Sequence, residues 1–147
     1  PFSGAMQLYL DLKGLNKAKT FHSAATRACG YLTHCCGDKD LTEFNRPDAT
    51  AFRDYLVARG LNGSSVVRVF TTIKSIFNFS CSEYGLDIKN PFAGIYMNRD
   101  DGVQKRLPIP NKTIITVQKE CMKMNDDIRW LIELISDTGL RLSEATG

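Results

Sequence analysis

The sequence Asp137-Thr138-Gly139-Leu140-Arg141 combines residue types that suit chemistry on a phosphodiester. It follows an apolar stretch, so Gly139 is expected to end a helix in the left-handed conformation. Arg141 would then lie at the start of the next helix, where free amide groups and the helix dipole favour an anion. A guanidinium donates two parallel hydrogen bonds to phosphate oxygens and keeps its charge near neutral pH. Arg141 is therefore a candidate phosphate-binding residue, and Gly139 and Glu144 would support the motif.

A second interpretation of the same arginine stays open. Glu144 follows Arg141 by three residues, a spacing at which opposite charges pair on a helix surface. Arg141 would then be a surface residue after a helix end, and these residues taken alone favour that interpretation.

A helix predicted over residues 65–84 has two unlike faces, and it is the element best suited to hold polar groups against a ligand. Its apolar face comprises Val66, Val69, Phe70, Ile73, Ile76, Phe77 and Tyr84. Its opposite face carries hydroxyls and one arginine without any carboxylate, namely Ser64, Arg68, Thr71, Thr72, Ser75 and Ser82. Such groups contact phosphate oxygens and base edges. The face is either a nucleic-acid surface or a polar surface that lacks acids by chance.

Apolar periodicity predicts further helices on both sides of this one, and nothing indicates a sheet, so we predict an all-α fold. One helix spans about 17–36, with Phe21, Ala25, Ala28 and Leu32 buried. Another runs from the cap Asn45 to near Gly60, with Ala51, Phe52, Tyr55 and Leu56 buried. Residues 90–95 predict a turn and a short helical piece, and 98–110 have linker composition. Two more helices are predicted, one capped by Asn111 and one that starts at Asp126 or Asp127.

The formal charge of only +3 averages over unlike parts of the chain. Three stretches, residues 12–36, 55–82 and 102–119, contain eleven Lys and Arg and no Asp or Glu. The rest of the chain contains the other eight Lys and Arg together with all 16 Asp and Glu. This segregation would give a DNA-binding surface its positive potential.

The five cysteines form no CxxC pair, so we predict neither a disulfide framework nor a metal site, and we expect a reducing cytoplasm. Apolar runs are too short for a membrane span of roughly 20 residues. The start at Pro1 suggests a piece of a longer protein.

The order Thr138-Gly139-Leu140-Arg141, followed after one residue by Ser143-Glu144, resembles the first catalytic signature of the tyrosine recombinases, the phage-type integrases. Four preceding features agree in order with that family. They are the acid-poor helix entered through Asn62-Gly63-Ser64-Ser65, the Asn90-Pro91 turn, a basic linker and the apolar helix before Thr138.

The resemblance implies a site-specific recombinase that cuts and rejoins double-stranded DNA through a 3′-phosphotyrosyl intermediate, without a metal or other cofactor. It implies a SAM-like helical core-binding domain over residues 1–98, a basic linker over 99–106, and the first helices of a truncated catalytic domain over 107–147. Full-length members act as tetramers on DNA. The DNA-contacting residues that we predict are Lys19, Arg68, Thr72, Lys74, Lys105 and Arg106.

The family's other catalytic groups, including the nucleophilic tyrosine, should follow the first arginine, but none of the five tyrosines here follows Arg141. We therefore expect that these 147 residues alone do not cleave DNA. We also expect residues 107–147 to pack on the helical domain or to self-associate, because their apolar stripe Ile128, Leu131, Ile132 and Ile135 needs a partner. The alternatives are a non-catalytic helical DNA-binding regulator and a helical protein-interaction module.

Overall fold

A computed structural model describes residues 1–103 and 107–147, which fall into two compact units, Pro1–Gln104 and Lys105–Gly147. Every regular element in the described residues is helical, which confirms the all-α prediction. The first unit contains α1 (Phe2–Lys13), α2 (Lys19–Cys36), a 3-10 turn (Leu41–Glu43), α3 (Arg46–Ala58) and α4 (Gly63–Glu83). The second contains α5 (Asn111–Met124), α6 (Asp127–Thr138) and α7 (Leu142–Ala145).

The core of the first unit forms around α4, which packs against α1, α2 and α3. The apolar face predicted for this helix is buried at Val66, Phe70, Ile73, Ile76 and Phe77, and Val69 is half-buried. Tyr84 is an exception, because it lies after the last helical turn and is 53% exposed. The polar face is confirmed as the accessible side of the helix.

The predicted helix over 17–36 is confirmed as α2, but the helix before it was not predicted. Only tertiary contacts reveal why α1 begins where it does, since no side chain caps its N-terminus. The amide of Phe2 donates to the carbonyl oxygen of Lys39 over 2.9 Å. The amide and the hydroxyl of Ser3 both donate to the carboxylate of Asp38.

Helix α3 starts as predicted, because the Asn45 side chain accepts the amide of Asp48 and Pro47 lies in the first turn. Its buried face was predicted partly wrongly: Ala49 is buried and Ala51 is exposed. Ala49 shares the spacing of three and four with Phe52 and Leu56, which sets the face that meets the core.

Residues 91–94 form a turn, so the short helical piece predicted there is wrong. The Asn90 side chain accepts the amide of Phe92 over 2.9 Å, and the Arg46 guanidinium donates to the carbonyl oxygens of Pro91, Ala93 and Gly94. These bonds satisfy the turn's carbonyls without a helix and point the Phe92 ring into the core, where it is fully buried.

The segment after this turn packs on the N-terminus of α4. The amide of Gly63 donates to the carbonyl oxygen of Asp101 over 2.8 Å. A Cβ on Gly63 would lie 2.9 Å from the carbonyl carbon of Arg99 and would clash with the Asn98 carbonyl oxygen. Residues 98–103 thus have the composition of a linker but pack against the first unit.

In the second unit, Asn111 is the first residue of α5 and Pro110 is its cap, so the cap prediction was wrong by one residue. Asp126 caps α6 by accepting the amide of Arg129 over 3.0 Å, and Gly139 ends the helix at φ 68°, both as predicted. In the predicted stripe, Leu131 and Ile135 are half-buried, whereas Ile128 and Ile132 are exposed. None of the helices in the described residues is long and apolar enough to cross a membrane.

Two glycines in helices provide a matched test of the Gly63 contact. Gly63→Ala should lower the free energy of unfolding by about 1–3 kcal/mol, because the added methyl group must displace backbone. Gly30→Ala should raise it by about 0.5–1 kcal/mol, because Gly30 is an exposed helical glycine with open space around it. Urea denaturation of both variants measures the two values, and equal effects would contradict the packing.

The Asp38 bond to α1 makes stability dependent on pH. The hydroxyl of Ser3 lowers the pKa of the Asp38 carboxyl in the folded chain, and the Ser3 amide acts in the same direction. Its stabilising contribution is therefore complete above the unfolded pKa of about 3.9 and is lost as the pH falls through the lower folded pKa. Thermal melts from pH 7 to pH 2 should show the wild type losing more stability than Asp38→Asn, which does not titrate. Parallel curves would contradict this role.

Candidate nucleic-acid interface

Helices α2 and α4 lie side by side and run in opposite directions. Near the start of α2, Phe21 stacks on Tyr9, which in turn contacts Phe79 near the end of α4. Farther along α2, Tyr31 shares a cleft with Leu61, which lies just before α4 begins. Tyr9 belongs to α1, so α1 links the two helices at one end, and toward the other end they line a common cleft.

A cleft of about 320 Å³ lies between these helices and carries two arginines. Its lining residues come from α2, α4 and the chain just before α4: Ala24, Arg27, Tyr31, Leu61, Ser65, Arg68, Val69 and Thr72. No carboxylate is among them, and neither Arg27 nor Arg68 pairs with an acid in the described residues. Two exposed guanidinium groups without an internal counter-ion leave this cleft with positive charge and with N–H donors of the kind that bind anions.

The predicted DNA-contacting residues do not all share this cleft. Arg68 and Thr72 line it, whereas Lys19 is exposed at the start of α2. Lys74 is half-buried and lies about 200° around α4 from Thr72, on another side of the helix. Lys105 and Arg106 lie outside the described residues.

The hydroxyl groups on α4 were expected to contact phosphate, but their protons are already used within the helix. Thr71, Thr72 and Ser75 each donate to the carbonyl oxygen four residues earlier in their own helix, over 2.8–3.2 Å. With the proton used in this way, the hydroxyl offers lone pairs to a ligand and would have to break a bond to donate to phosphate. The free N–H donors of the cleft therefore come chiefly from its arginines.

Arg27 is a candidate contact that sequence reasoning missed. It lies four residues before Tyr31 along α2, and both residues line the cleft that α2 forms with α4. The absence of acids over residues 12–36 was the available signal, but it did not single out one side chain. Arg27 becomes important because it lies opposite Arg68 in the cleft.

The Arg141 motif is locally ordered and open to solvent. Arg141 is the N-cap of α7, its side chain is 83% exposed, and its Nη1 lies 3.4 Å from Glu144 Oε1. Its amide donates to Glu144 Oε2 over 2.9 Å. The local pairing with Glu144 is thus present, and the four-residue α7 adds little dipole to attract an anion. A phosphate would have to compete with this carboxylate for the guanidinium.

Burial holds two of the five cysteines, Cys29 and Cys36, in the thiol form. Burial raises the pKa of the Cys29 thiol to about 11, and burial together with a hydrogen bond to Cys35 raises that of Cys36 to about 12. Both thiols are protonated near neutral pH, and the thiolate is the form that binds metals and attacks disulfides. Within residues 1–103 and 107–147, no cluster of three or more potential metal ligands occurs.

Comparison of the chain with protein-family models, with curated proteins and with solved structures found no match.

Proposed function

We propose that the first unit is a double-stranded DNA-binding module and that the chain is part of a site-specific tyrosine recombinase. The observation that supports the binding role is the α2–α4 cleft, in which Arg27 and Arg68 lie without a neighbouring carboxylate among the described residues. Duplex DNA presents closely spaced phosphates along its backbone, and arginines that neutralise them release counterions.

The recombinase assignment goes further and rests on the resemblance of the segment from Thr138 to Glu144. In this proposal the first unit is a SAM-like core-binding domain, residues 99–106 are the linker and residues 107–147 begin the catalytic domain. Arg141 would stabilise charge on the scissile phosphate, and Gly139 would shape the turn before it. Five free thiols fit the reducing cytoplasm in which we place the protein.

The chemistry of the proposed reaction needs no external energy source. A tyrosine hydroxyl attacks the phosphorus, a phosphotyrosyl bond forms and the 5′-oxygen of the next nucleotide leaves. The covalent intermediate keeps a phosphodiester bond for the rejoining step. Arg141 can supply the cationic group but not the nucleophile.

Replacing the cleft arginines should weaken DNA binding in two measurable ways. If Arg68 contacts a base edge, Arg68→Ala should weaken the free energy of binding by about 1–3 kcal/mol and should reduce the preference for one DNA sequence over another. Arg27→Ala should weaken binding to all duplexes and reduce the slope of log K against log salt concentration by about 0.9. Fluorescence anisotropy with a labelled duplex over a salt series measures both effects.

Lys89→Ala is the matched control, because Lys89 is an exposed cation that lines a different groove. It should leave the affinity nearly unchanged. Equal losses for Lys89→Ala and the cleft variants would show general attraction to positive charge and would contradict a specific cleft. Salt-independent binding, or none, would instead favour a protein-interaction module.

We also propose that the second unit self-associates through its α5–α6 surface. Ile114, Val117, Ile132 and Ile135 line an apolar groove there, and Ile132 is 43% exposed. A second copy of the chain carries the same apolar surface, and pairing would remove both from water.

Ile132→Glu should shift the chain to monomer by placing a charge in this surface. Thr113→Glu is the control, because it adds the same charge at an exposed polar position of α5. Sedimentation velocity over a concentration series should show association for the wild type and the control only. A monomeric wild type at every concentration would contradict the proposal.

A further inference from the structure

Arg59 differs from the other arginines of the first unit in how its guanidinium is held. Its Cζ atom lies 5.2 Å from the ring centre of Tyr31 and 5.6 Å from that of Tyr55. Its Nη1 also donates to the Tyr55 hydroxyl over 3.0 Å. Two rings, one on α2 and one on α3, thus fix a side chain that lies at the exposed end of α3.

Two other arginines of the first unit use their N–H groups in bonds to the protein itself. Arg46 donates to three carbonyl oxygens of the 91–94 turn, and Arg53 pairs with Asp54. Arg59, in contrast, forms no ion pair within the described part of the chain, and its one acceptor there is the neutral Tyr55 hydroxyl. Most of its five N–H donors therefore remain available to a ligand.

The position of Arg59 connects it to the cleft. Tyr31, over which the guanidinium lies, is itself a wall of the cleft that holds Arg27 and Arg68. Cation–π contact and the hydroxyl bond order the long side chain before any ligand arrives, so binding loses less conformational freedom. An ordered, uncompensated guanidinium at the edge of a basic cleft is suited to receive one more anion.

We propose that Arg59 is a pre-ordered phosphate anchor for duplex DNA at the end of the cleft, with Tyr31 and Tyr55 as its positioning residues. The inference rests on the proposed DNA-binding function, which it extends from α2 and α4 to the end of α3. It assigns the two tyrosines to holding the arginine, whose guanidinium lies over one face of each ring.

Salt-dependent binding to a labelled DNA duplex separates the anchor from its positioning residues. Arg59→Ala should reduce the affinity about tenfold and the salt slope by about 0.9. Arg59→Lys should restore the slope, because the charge returns, but only part of the affinity. Tyr55→Phe should keep the slope and lower the affinity about threefold, because it removes only the hydroxyl that orients the guanidinium.

A double-mutant cycle completes the test: in an Arg59→Ala background, Tyr55→Phe should have no further effect on binding. Thermal melts accompany each variant, and Arg59→Gln, which keeps a donor for Tyr55 without the charge, replaces Arg59→Ala if that variant unfolds. An unchanged slope for Arg59→Ala, while Arg27→Ala lowers it, would overturn the anchor and leave the cleft intact. Additive effects in the cycle would overturn the positioning role of Tyr55. A wild type that shows no salt-dependent binding would remove the proposed function and this inference together.

Discussion

The ring of Phe92 lies in contact with four other phenylalanine rings, and the geometry of the first unit depends on this cluster. The centre of Phe92 is 5.6 Å from that of Phe44, 6.4 Å from Phe52, 6.3 Å from Phe70 and 5.9 Å from Phe77. All four pairs are edge-on or tilted, and the ring quadrupoles favour such arrangements over face-to-face stacking. Because Phe52 belongs to α3 and both Phe70 and Phe77 belong to α4, one side chain from a turn fixes the relation of two helices. Arg46 and Asn90 hold that turn so that the ring stays buried.

The fixed position of α4 in turn determines the candidate DNA surface. Its buried face points to the phenylalanine cluster, so Arg68 and Thr72 must point to the other side, where α2 brings Arg27 alongside. The hydroxyl protons on this side are bound to the helix's own carbonyl oxygens. The resulting surface separates two roles: arginines supply donors and charge, whereas hydroxyls supply acceptors. With this arrangement the arginines can donate to phosphate oxygens, and the hydroxyl oxygens can accept hydrogen bonds from donors on base edges.

The sequence predicted the helices whose signals are local. The two faces of α4, the Asn45 cap of α3 and the left-handed Gly139 follow from periodicity and capping rules, and the structure confirms them. Helix α1 was missed because its N-terminus depends on Asp38, a residue distant in sequence. The turn at residues 90–95 was predicted, but the short helical piece after it was wrong, because the bonds that hold this turn come from Arg46, almost half of the unit away in sequence.

The candidate site was predictable in part for the same reason. Arg68 and Thr72 could be found because one helix carries both, and α4 has a clear polar side. Arg27 and Arg59 could not be found in this way, because the importance of each depends on a residue of another helix. Arg27 shares its cleft with Arg68 of α4, and the Arg59 guanidinium lies over Tyr31 of α2. Arg141 remains identified by its motif, and its exposed pairing with Glu144 is the geometry that sequence spacing alone had favoured.

Above all, we propose that duplex DNA binds in the α2–α4 cleft through the arginines of that cleft. Titration of the isotopically labelled chain with a short duplex, followed by NMR of the arginine side-chain Nε–H groups, tests it most directly. The Arg27 and Arg68 signals should shift and saturate together, while those of Arg46 and Arg53, whose guanidinium groups already bond to the protein, should stay in place. Shifts confined to other arginines, with Arg27 and Arg68 unchanged at saturation, would contradict it.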